Sequence, residues 1–245
     1  MTRPGGAPGP ELSVVVPAYN ESATVETVAR RLRALPLRLE VIAVNDASTD
    51  GTGEILDRLE REGVLDRVIH QKQNCGKGAA LRAGFAAAMG DVVVVQDADL
   101  EYDPEELLTL VEPIRRGRAD AVYGSRFQGG PHRVLFFWHA VGNRTLTLLS
   151  NIFTNLNLTD METCYKLVRR DLLQRLPLTS DRFGFEVEIT ARLAQSGARI
   201  WELPITYSGR TYAEGKKITW KDGWAALFHI LRFNLFPPGG DWRKR

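Results

Sequence analysis

In the stretch VVVVQDADLEYDPEEL at residues 92–107, four consecutive valines run directly into acidic side chains. A continuous apolar run of this length is typical of a strand that is buried on both faces of a sheet. The acids that follow it are Asp97, Asp99 and Glu101. Carboxylates this close repel each other unless a cation or a hydrogen-bond donor neutralises them. The stretch therefore predicts a buried strand that ends at a charged binding site.

The same order, an apolar run followed by a segment of helical periodicity, occurs four times in the first half of the chain. The predicted strands are 12–19, 39–46, 67–72 and 91–97, and the predicted helices are 22–35, 48–63, 76–90 and 103–117. This alternation predicts an α/β fold whose central sheet is mostly parallel and covered by helices on both faces. Such sheets bind ligands at the carboxyl ends of their strands, so the polar residues there are expected on one rim. These residues are Tyr19, Asn20, Glu21, Asn45, Asp46, Asp97 and Asp99.

Composition indicates one globular domain with an ample core, since 44% of the 245 residues are hydrophobic and the net charge is +2. Two cysteines form neither a disulfide framework nor a metal-ligand spacing, which fits a reducing, cytoplasmic compartment. Residues 1–10 lack the apolar region of a signal peptide, so we interpret them as a flexible lead. No apolar run reaches the roughly 18–20 residues that a membrane-spanning helix needs. We expect no nucleic-acid partner.

The acidic cluster predicts a site for a divalent metal ion. Carboxylate oxygens suit Mg²⁺ or Mn²⁺, and such an ion usually takes its other ligands from water and substrate phosphates. The site is therefore expected to bind a diphosphate. The alternative is that the acids only cap the next helix, as we expect for Asp103, which stands before Pro104 at a helix start.

Five segments resemble family 2 glycosyltransferases of the GT-A fold, the fold of nucleotide-diphospho-sugar transferases. They are VVVPAYNE (14–21), VNDASTDGT (44–52), NCGKGAALRAGF (74–85), QDADL (96–100) and YGSRF (123–127). Three later segments resemble the branch that holds dolichyl-phosphate mannose synthases and polyprenyl-phosphate glucosyltransferases. They are TDMETCYKLVRRDLL (159–173), RFGFEVEITARLAQSGARIWELPITY (182–207) and RTYAEGKKITWKDG (210–223). The resemblance implies an inverting hexosyltransferase with a catalytic domain over 11–218.

The resemblance implies a set of residues that bind the nucleotide sugar, either UDP-glucose or GDP-mannose. They are Pro17, Tyr19, Glu21, Val44, Asp46, Lys77, Asp97, Ala98, Asp99, Arg126, Arg210 and Lys216. Some have a structural alternative: Pro17 ending the sheet edge, Tyr19 in the core, or Lys77 as an exposed first residue of a helix. Asp46 ends an apolar strand without an evident partner, so we expect it to need a ligand.

The resemblance also implies the catalytic residues, which are Asp99, Arg126, Asp160 and Arg210. Asp97 and Asp99 match the metal motif, and Glu101 stands at a third metal position where the family commonly has glutamine. Arginine offers a planar fork to the oxygens of a departing diphosphate, although a solvated surface arginine is the alternative. Asp160 matches a carboxylate proposed as a base in the glucosyl branch. Its alternatives are orienting a hydroxyl of the donor sugar and capping a turn.

The implied acceptor is a polyprenyl or dolichyl phosphate, which arrives already ionised and needs no base. Segment 133–156 is interpreted as one or two amphipathic helices at a membrane surface, with Arg144 placed to meet the lipid phosphate. Its apolar residues are Leu135, Phe136, Trp138, Leu146, Leu149, Ile152 and Phe153. Ordinary core helices are the alternative. We interpret 219–245 as an amphipathic tail whose basic end favours anionic lipid.

The expected location is therefore the cytoplasmic, inner face of a membrane. The chain either holds the membrane superficially or uses a separate membrane-spanning partner. Three other functions remain open. A GT-A enzyme with a soluble sugar or glycan acceptor is the nearest of them. A sugar-nucleotide pyrophosphorylase lacks support because the glycine-rich GxGTRL-type opening is missing, and an idle membrane-recruiting scaffold is disfavoured by the intact Asp97 and Asp99.

Overall fold

A seven-stranded sheet forms the centre of the fold in the residues that the computed structural model describes, which are 9–129, 131–134, 136–182, 184–211 and 220–238. The strands are β1 (Leu12–Ala18), β2 (Leu39–Asn45), β3 (Arg67–His70), β4 (Val92–Val95), β5 (Ala121–Ser125), β6 (Lys166–Arg169) and β7 (Ile200–Pro204). The helices are α1 (Val25–Arg33), α2 (Thr52–Arg61), α3 (Lys77–Ala87), α4 (Leu107–Leu110), α5 (Glu112–Arg115), α6 (Phe137–Thr154), α7 (Arg170–Leu173), α8 (Phe185–Gln195) and α9 (Trp220–Leu235).

The predicted fold class is confirmed, because the strand order is β3-β2-β1-β4-β6-β5-β7 and β6 alone runs antiparallel to its neighbours in this sheet. The four predicted strands are present with nearly the predicted bounds. The segment predicted as one helix over 103–117 is instead a 3-10 turn at Pro104–Glu106 followed by α4 and α5. Pro113 lies in the first turn of α5, where a proline cannot donate the hydrogen bond that would continue the preceding helix.

Strand register brings the ends of β1, β2 and β4 to one rim. Ala18 at the end of β1 is paired with Asn45 at the end of β2, and Val15 is paired with Val95 at the end of β4. The valines of β4 are all buried, as a strand in the middle of a parallel sheet requires. The loops that follow these three strands therefore open on the same side of the molecule, as predicted.

A second, smaller core joins the last helix to the sheet's covering helices. In α9, one face packs against α8, burying Ile230 and Phe233 against Val187 and Ala191. Residues 220–235 of the predicted tail are therefore a packed helix. The predicted boundary between catalytic domain and tail at 218/219 stays a prediction, because 212–219 lies outside the described residues, as do 1–8 and 239–245.

Two helix-interior glycines test how closely α3 lies on the sheet. A Cβ at Gly84 would collide with the side chain of Val15 on β1, whereas a Cβ at Gly142 in α6 would meet no heavy atom of the described residues within 4 Å. We expect Gly84→Ala to lower the free energy of unfolding by about 1–3 kcal/mol through overpacking. Gly142→Ala should raise it by about 0.5–1 kcal/mol through helix propensity. Urea unfolding measures both, and equal stabilisation by the two alanines would contradict the close contact of α3 with β1.

Candidate active site

The acidic side chains that follow β4 are neutralised by two cations from distant parts of the chain. Lys77 at the start of α3 places Nζ 2.9 Å from Oδ1 of Asp97. Arg210 places Nη2 2.6 Å from Oδ2 of Asp99 and Nε 3.3 Å from Oε1 of Glu101. A buried strand can thus end in clustered negative charge because charge-assisted hydrogen bonds balance most of it.

The balance is incomplete at Asp99. Burial raises the pKa of Asp99 to about 7, the charges of Asp97 and Glu101 add to the shift, and Arg210 opposes it. Burial also acts against ionisation of Asp97, but Lys77, together with Cys164 and Lys166, outweighs it, and the pKa of Asp97 is lowered. Burial disfavours the charged form of Lys77 as well, yet its carboxylate partners raise its pKa well above the ordinary value. Asp99 is therefore the carboxylate at which a further positive charge is most favourable.

The carboxylates Asp97 and Asp99 suit a divalent ion, but the protein does not supply a complete set of ligands for it among the described residues. Among the residues that the structure describes, no three His, Cys, Asp or Glu side chains are grouped to hold a metal. Glu101, the third ligand predicted, instead accepts hydrogen bonds from Tyr207 Oη at 2.8 Å and from the Arg210 backbone amide at 2.9 Å. Asp97 and Asp99 supply hard oxygens of the kind that Mg²⁺ and Mn²⁺ prefer, so the remaining ligands would have to come from water or a diphosphate.

The predicted nucleotide-binding residues on β1 and β2 lie on the same rim. Pro17 and Val44 are register partners in neighbouring strands. Val44 is fully buried in this structure, so neither its backbone nor its side chain is exposed at the rim. Tyr19 is 42% exposed, which rules out its core alternative. Glu21 is 3.6 Å from Arg210 Nη1, so the loop after β1 meets the same arginine as the acids after β4.

Asp46 has partners that the sequence did not reveal. Its carboxylate accepts hydrogen bonds from the backbone amides of Cys75 and Gly76, both at 2.8 Å. The expectation that Asp46 lacks a protein partner is therefore wrong, because a loop 29 residues later in the sequence returns to it. This pair of hydrogen bonds fixes the loop that leads into α3, and so positions Lys77. Lys77 is not the exposed helix start of the structural alternative, since its side chain is only 19% exposed.

Arg126 and Asp160 form a buried, two-point ion pair. Arg126 donates from Nε to Oδ2 at 2.6 Å and from Nη2 to Oδ1 at 2.7 Å, and its backbone amide also donates to Oδ2. Asp160 is fully buried, and its own amide donates to Glu202 at 3.0 Å. Although burial opposes the charge, Asp160 raises the pKa of Arg126 well above its ordinary value. With both oxygens engaged, Asp160 is built to hold Arg126, and this arrangement gives no support to the predicted base.

Of the remaining predicted donor-site residues, the structure describes Ala98. The carbonyl of Ala98, between the two rim aspartates, accepts a hydrogen bond from Thr24 Oγ1 at 2.6 Å, which ties the acidic turn to the start of α1. Lys216 lies outside the described residues, as does Leu135 of the predicted interfacial segment.

Arg144 and Arg126 contact the same aromatic ring, that of Phe127. The guanidinium of Arg144 lies 5.6 Å from the centroid of Phe127, and that of Arg126 lies 5.7 Å from the same centroid. Cations over an aromatic face are attracted by its quadrupole, so the ring can hold two positive side chains near each other. The predicted acceptor-phosphate residue is therefore linked through Phe127 to the Arg126–Asp160 pair.

The helix that carries Arg144, α6, buries two polar residues and exposes several apolar ones. Its buried residues are Thr147 and Ser150, whereas Trp138, Leu148 and Ile152 are 77%, 59% and 65% exposed. The core alternative is correct for Leu146 and Leu149, which pack against the second core; Phe136 is half-buried and Phe153 is 39% exposed. None of the helices in the described part of the chain is long and apolar enough to cross a membrane.

Two acids near the site were missed by sequence reasoning. Glu186 at the start of α8 places Oε1 3.0 Å from Nζ of Lys77, the same ammonium group that contacts Asp97. Glu162 lies two residues after Asp160 in the sequence, and its Oε1 atom is buried. The signal was present in the quoted segments, because acids in otherwise apolar runs such as GFEVEI and DMETCY need a partner when buried.

Comparison with known proteins identifies the family. Residues 13–176 match the family described as "Glycosyl transferase family 2". An undecaprenyl-phosphate mannosyltransferase of Micrococcus luteus is 36% identical over 215 residues, which cover 82% of this chain and 85% of that protein. A polyprenol monophosphomannose synthase of Mycolicibacterium smegmatis is 31% identical over 212 residues, covering 83% and 79%. In structure, the chain resembles glucosyl-3-phosphoglycerate synthase from Mycobacterium tuberculosis in complex with Mn²⁺, UDP and glucosyl-3-phosphoglycerate. The TM-score is 0.72 at 24% identity, with 98% of this chain and 88% of that one covered, which supports the GT-A fold.

The Arg126–Asp160 pair predicts a large effect on stability. Asp160→Asn would leave the Arg126 guanidinium buried without a counter-charge, so we expect it to lower the free energy of unfolding by about 3–5 kcal/mol. The matched control is Asp171→Asn, which removes a carboxylate that is 59% exposed and paired with Arg169. That exposed pair should contribute no more than about 1 kcal/mol. Equal losses in the two variants, measured by urea unfolding, would show that the Arg126–Asp160 pair is not buried as described.

Proposed function

The chain belongs to glycosyl transferase family 2, and we propose that it transfers a hexose from a nucleotide-diphosphate sugar to a polyprenyl or dolichyl phosphate at a membrane surface. The names of two relatives support the acceptor, since one is an undecaprenyl-phosphate mannosyltransferase and the other a polyprenol monophosphomannose synthase. They also favour mannose over glucose in the donor. UDP-glucose and GDP-mannose are both kept as candidate donors.

The observation that carries the proposal is the position of Arg144. It joins the cationic site, through the ring it shares with Arg126, to a helix that exposes its apolar residues. A polyprenyl phosphate has the same two parts, an anionic head and a long apolar chain. A soluble acceptor would need the cation but would leave the exposed face of α6 without a function.

A second exposed apolar face supports docking on a membrane. In α9, Trp224, Phe228, Leu231 and Leu235 recur at helical spacing and are 67%, 61%, 38% and 55% exposed. The helix is therefore apolar on the side that packs against α8 and on this outer side as well. Burying one such aromatic side chain contributes roughly 1.5–3 kcal/mol. A few of them give reversible binding to a bilayer surface, as for an interfacial helix. We accordingly propose a peripheral location on the inner face of the membrane, with a separate membrane-spanning partner as the alternative anchor.

In the proposed reaction the acceptor phosphate supplies its own nucleophile. Arg144 binds the ionised acceptor phosphate. One oxygen of that phosphate forms the new bond to the anomeric carbon of the hexose. The bond from that carbon to the donor diphosphate breaks on the opposite face, so the configuration inverts and the electron pair leaves on the diphosphate. Because no proton has to be removed, no general base is needed. The absence of a required base agrees with the contacts of Asp160, which position Arg126 and leave neither oxygen to accept a proton.

The chain's other contribution is stabilisation of the charge that develops on the departing diphosphate. Arg126 is fixed by Asp160, and Lys77 and Arg210 already lie against the rim acids, so these cations need little reorganisation. A divalent ion on Asp97 and Asp99 would add Lewis-acid stabilisation of the same diphosphate. Pro17, Tyr19, Glu21, Val44 and Asp46 are proposed to form the nucleotide end of the site.

Metal dependence is tested at Asp99. Asp99→Asn removes a charged oxygen ligand from the rim, so we expect hexosyl transfer to fall about 100-fold and Mn²⁺ binding in the presence of nucleoside diphosphate to weaken. Because the pKa of Asp99 is about 7, protons should compete with the ion, and half-saturating Mn²⁺ should rise as the pH falls below about 7. The control is Asp91→Asn, an exposed acid at the opposite end of β4. Full transfer by Asp99→Asn in the presence of a chelator would refute the metal site.

Membrane docking is tested on the most exposed aromatic residues of α6. Changing Phe137 and Trp138 together to serine should weaken liposome sedimentation and transfer to a long-chain acceptor, because both side chains are at least 70% exposed. Transfer to a short, water-soluble phosphate acceptor should be spared. Arg144→Ala should instead impair transfer to both acceptors while leaving sedimentation largely intact. Trp201→Ser on β7, an exposed aromatic outside α6 and α9, serves as the control. Wild-type sedimentation of the double-serine variant would count against the docking face.

A further inference from the structure

A cavity of about 660 Å³ lies at the end of the sheet opposite the acidic rim. It is lined by Val92, the first residue of β4, whereas Asp97 and Asp99 follow the last residue of the same strand. A strand advances about 3.3 Å per residue, so the cavity is about 10 Å from the rim end of β4. Its volume is in the range of sites that hold a small organic molecule, and the reaction proposed above assigns it no task.

Arginine is the most frequent charged residue in the lining of this cavity. Segments that are far apart in the sequence bring these side chains together, since they come from the residue before β2, from α5, and from the junction of β6 and α7. The charged lining residues are Arg38, Arg115, Arg169 and Arg170, with the acids Glu11, Asp91 and Asp171.

Two of the arginines are already neutralised by acids. Arg115 pairs with Glu11 and, at 2.8 Å, with Glu112. Arg169 pairs with Asp171 at 2.7 Å. These ion pairs also account for two of the three acids in the lining, so they add little net charge to the cavity.

The other two arginines, Arg38 and Arg170, form no ion pair with any residue in the described part of the chain. Arg170 is half-buried and held in place, because its Nε donates to the carbonyl of Gly90 at 2.9 Å and its backbone amide to that of Asp91 at 2.9 Å. Its two Nη groups stay accessible and bond to no described residue. Arg38 and the carboxylate of Asp91 are exposed, so water screens the charge of that acid. The cavity therefore keeps an excess of positive charge on two guanidinium groups.

The rest of the lining includes an apolar surface. Val92 and Ala119 are buried, at 4% and 1% exposure, and Ile114 is half-buried. A site with cationic groups beside apolar side chains fits a ligand that has an anionic head and an organic body.

We propose that this cavity binds an organic phosphate, with its phosphoryl oxygens on Arg38 and Arg170 and its organic part against Val92, Ile114 and Ala119. A guanidinium group offers paired N–H donors in a planar fork, which matches the oxygens of a phosphate. A soluble phosphomonoester and the headgroup of phosphatidic acid share this chemistry. The site shares no residue with the acidic rim, so it stands apart from the proposed function.

Binding is tested with phenyl phosphate, and the NMR signal of the Ile114 δ1 methyl group is followed in the methyl-labelled chain. This methyl group reports on the cavity itself, so phosphate bound to the rim cations does not contribute to the affinity measured. We expect a saturable shift whose Kd rises about tenfold in Arg38→Gln and in Arg170→Gln, because each loses charge-assisted hydrogen bonds. Arg61→Gln, an exposed arginine on α2, is the matched control and should stay within about twofold of the wild type. Phenol, which lacks the phosphate, should not shift the signal.

Arg38→Gln separates a ligand contact from a folding defect. Arg170→Gln removes the hydrogen bond to Gly90, so it can lower the melting temperature as well as the affinity. Arg38 has no ion pair to lose in the described part of the chain, so Arg38→Gln should weaken binding at an unchanged melting temperature. No shift of the Ile114 signal at millimolar phenyl phosphate, or one Kd shared by Arg38→Gln, Arg170→Gln and Arg61→Gln, would overturn the site.

Displacement of phenyl phosphate distinguishes the two sources of the phosphate group. Glycerol 3-phosphate represents a soluble phosphomonoester, and dihexanoyl phosphatidic acid below its critical micelle concentration represents the lipid headgroup. Displacement by either compound supports the site, and the one that displaces phenyl phosphate at the lower concentration identifies the source. If neither displaces it, the phenyl ring rather than the phosphate is recognised, and the proposed site is wrong.

Discussion

The negative charge at the carboxyl end of β4 is the constraint on which the rest of the site depends. A central parallel strand has to be apolar along its length, so its polar residues collect at its end, and here they are acids. These acids can be buried only because Lys77 and Arg210, which are far apart in the sequence, converge on them. Asp46, which follows β2, fixes the loop that leads into α3 and so positions Lys77 beside these acids. The segment that carries Arg210 contacts the same acids. The same balance leaves Asp99 short of positive charge, which is the property that a metal-diphosphate site needs.

Much of this arrangement could be predicted from sequence because it follows from strand periodicity. Buried strands are recognisable in the sequence as apolar runs. Their parallel connectivity then predicts that Pro17, Asp46 and Asp97 lie on one rim, and no side-chain contact has to be known for this prediction. The resemblance to family 2 glycosyltransferases added Arg126, Asp160 and Arg210, which no periodicity could have placed there. What failed was local: proline broke the helix predicted over 103–117, and β6 entered the sheet antiparallel without a distinguishing pattern.

Hydrogen bonds between residues far apart in the sequence could not be predicted from the sequence. Asp46 looked like an acid in need of a ligand, yet two backbone amides satisfy it. Asp160 matched a base, yet both its oxygens hold Arg126. The reverse also occurs, since Thr163 and Glu186, to which the sequence analysis assigned no role, bury polar atoms that have no hydrogen-bond partner among the described residues. A carboxylate's role therefore depends on what already occupies its oxygens, which spacing alone does not reveal.

We propose that one surface serves two purposes: it holds a nucleotide sugar at the rim and brings a lipid phosphate to Arg144 across the exposed apolar residues of α6. Mass spectrometry of the lipid product tests it most directly. The purified chain is incubated with a nucleotide-hexose donor, Mg²⁺ and vesicles that contain polyprenyl phosphate, and the lipid fraction is analysed. We expect a polyprenyl phosphate that has gained the mass of one hexose residue, attached through the phosphate. An unchanged lipid, with the hexose released into water or found on a soluble acceptor, would contradict it.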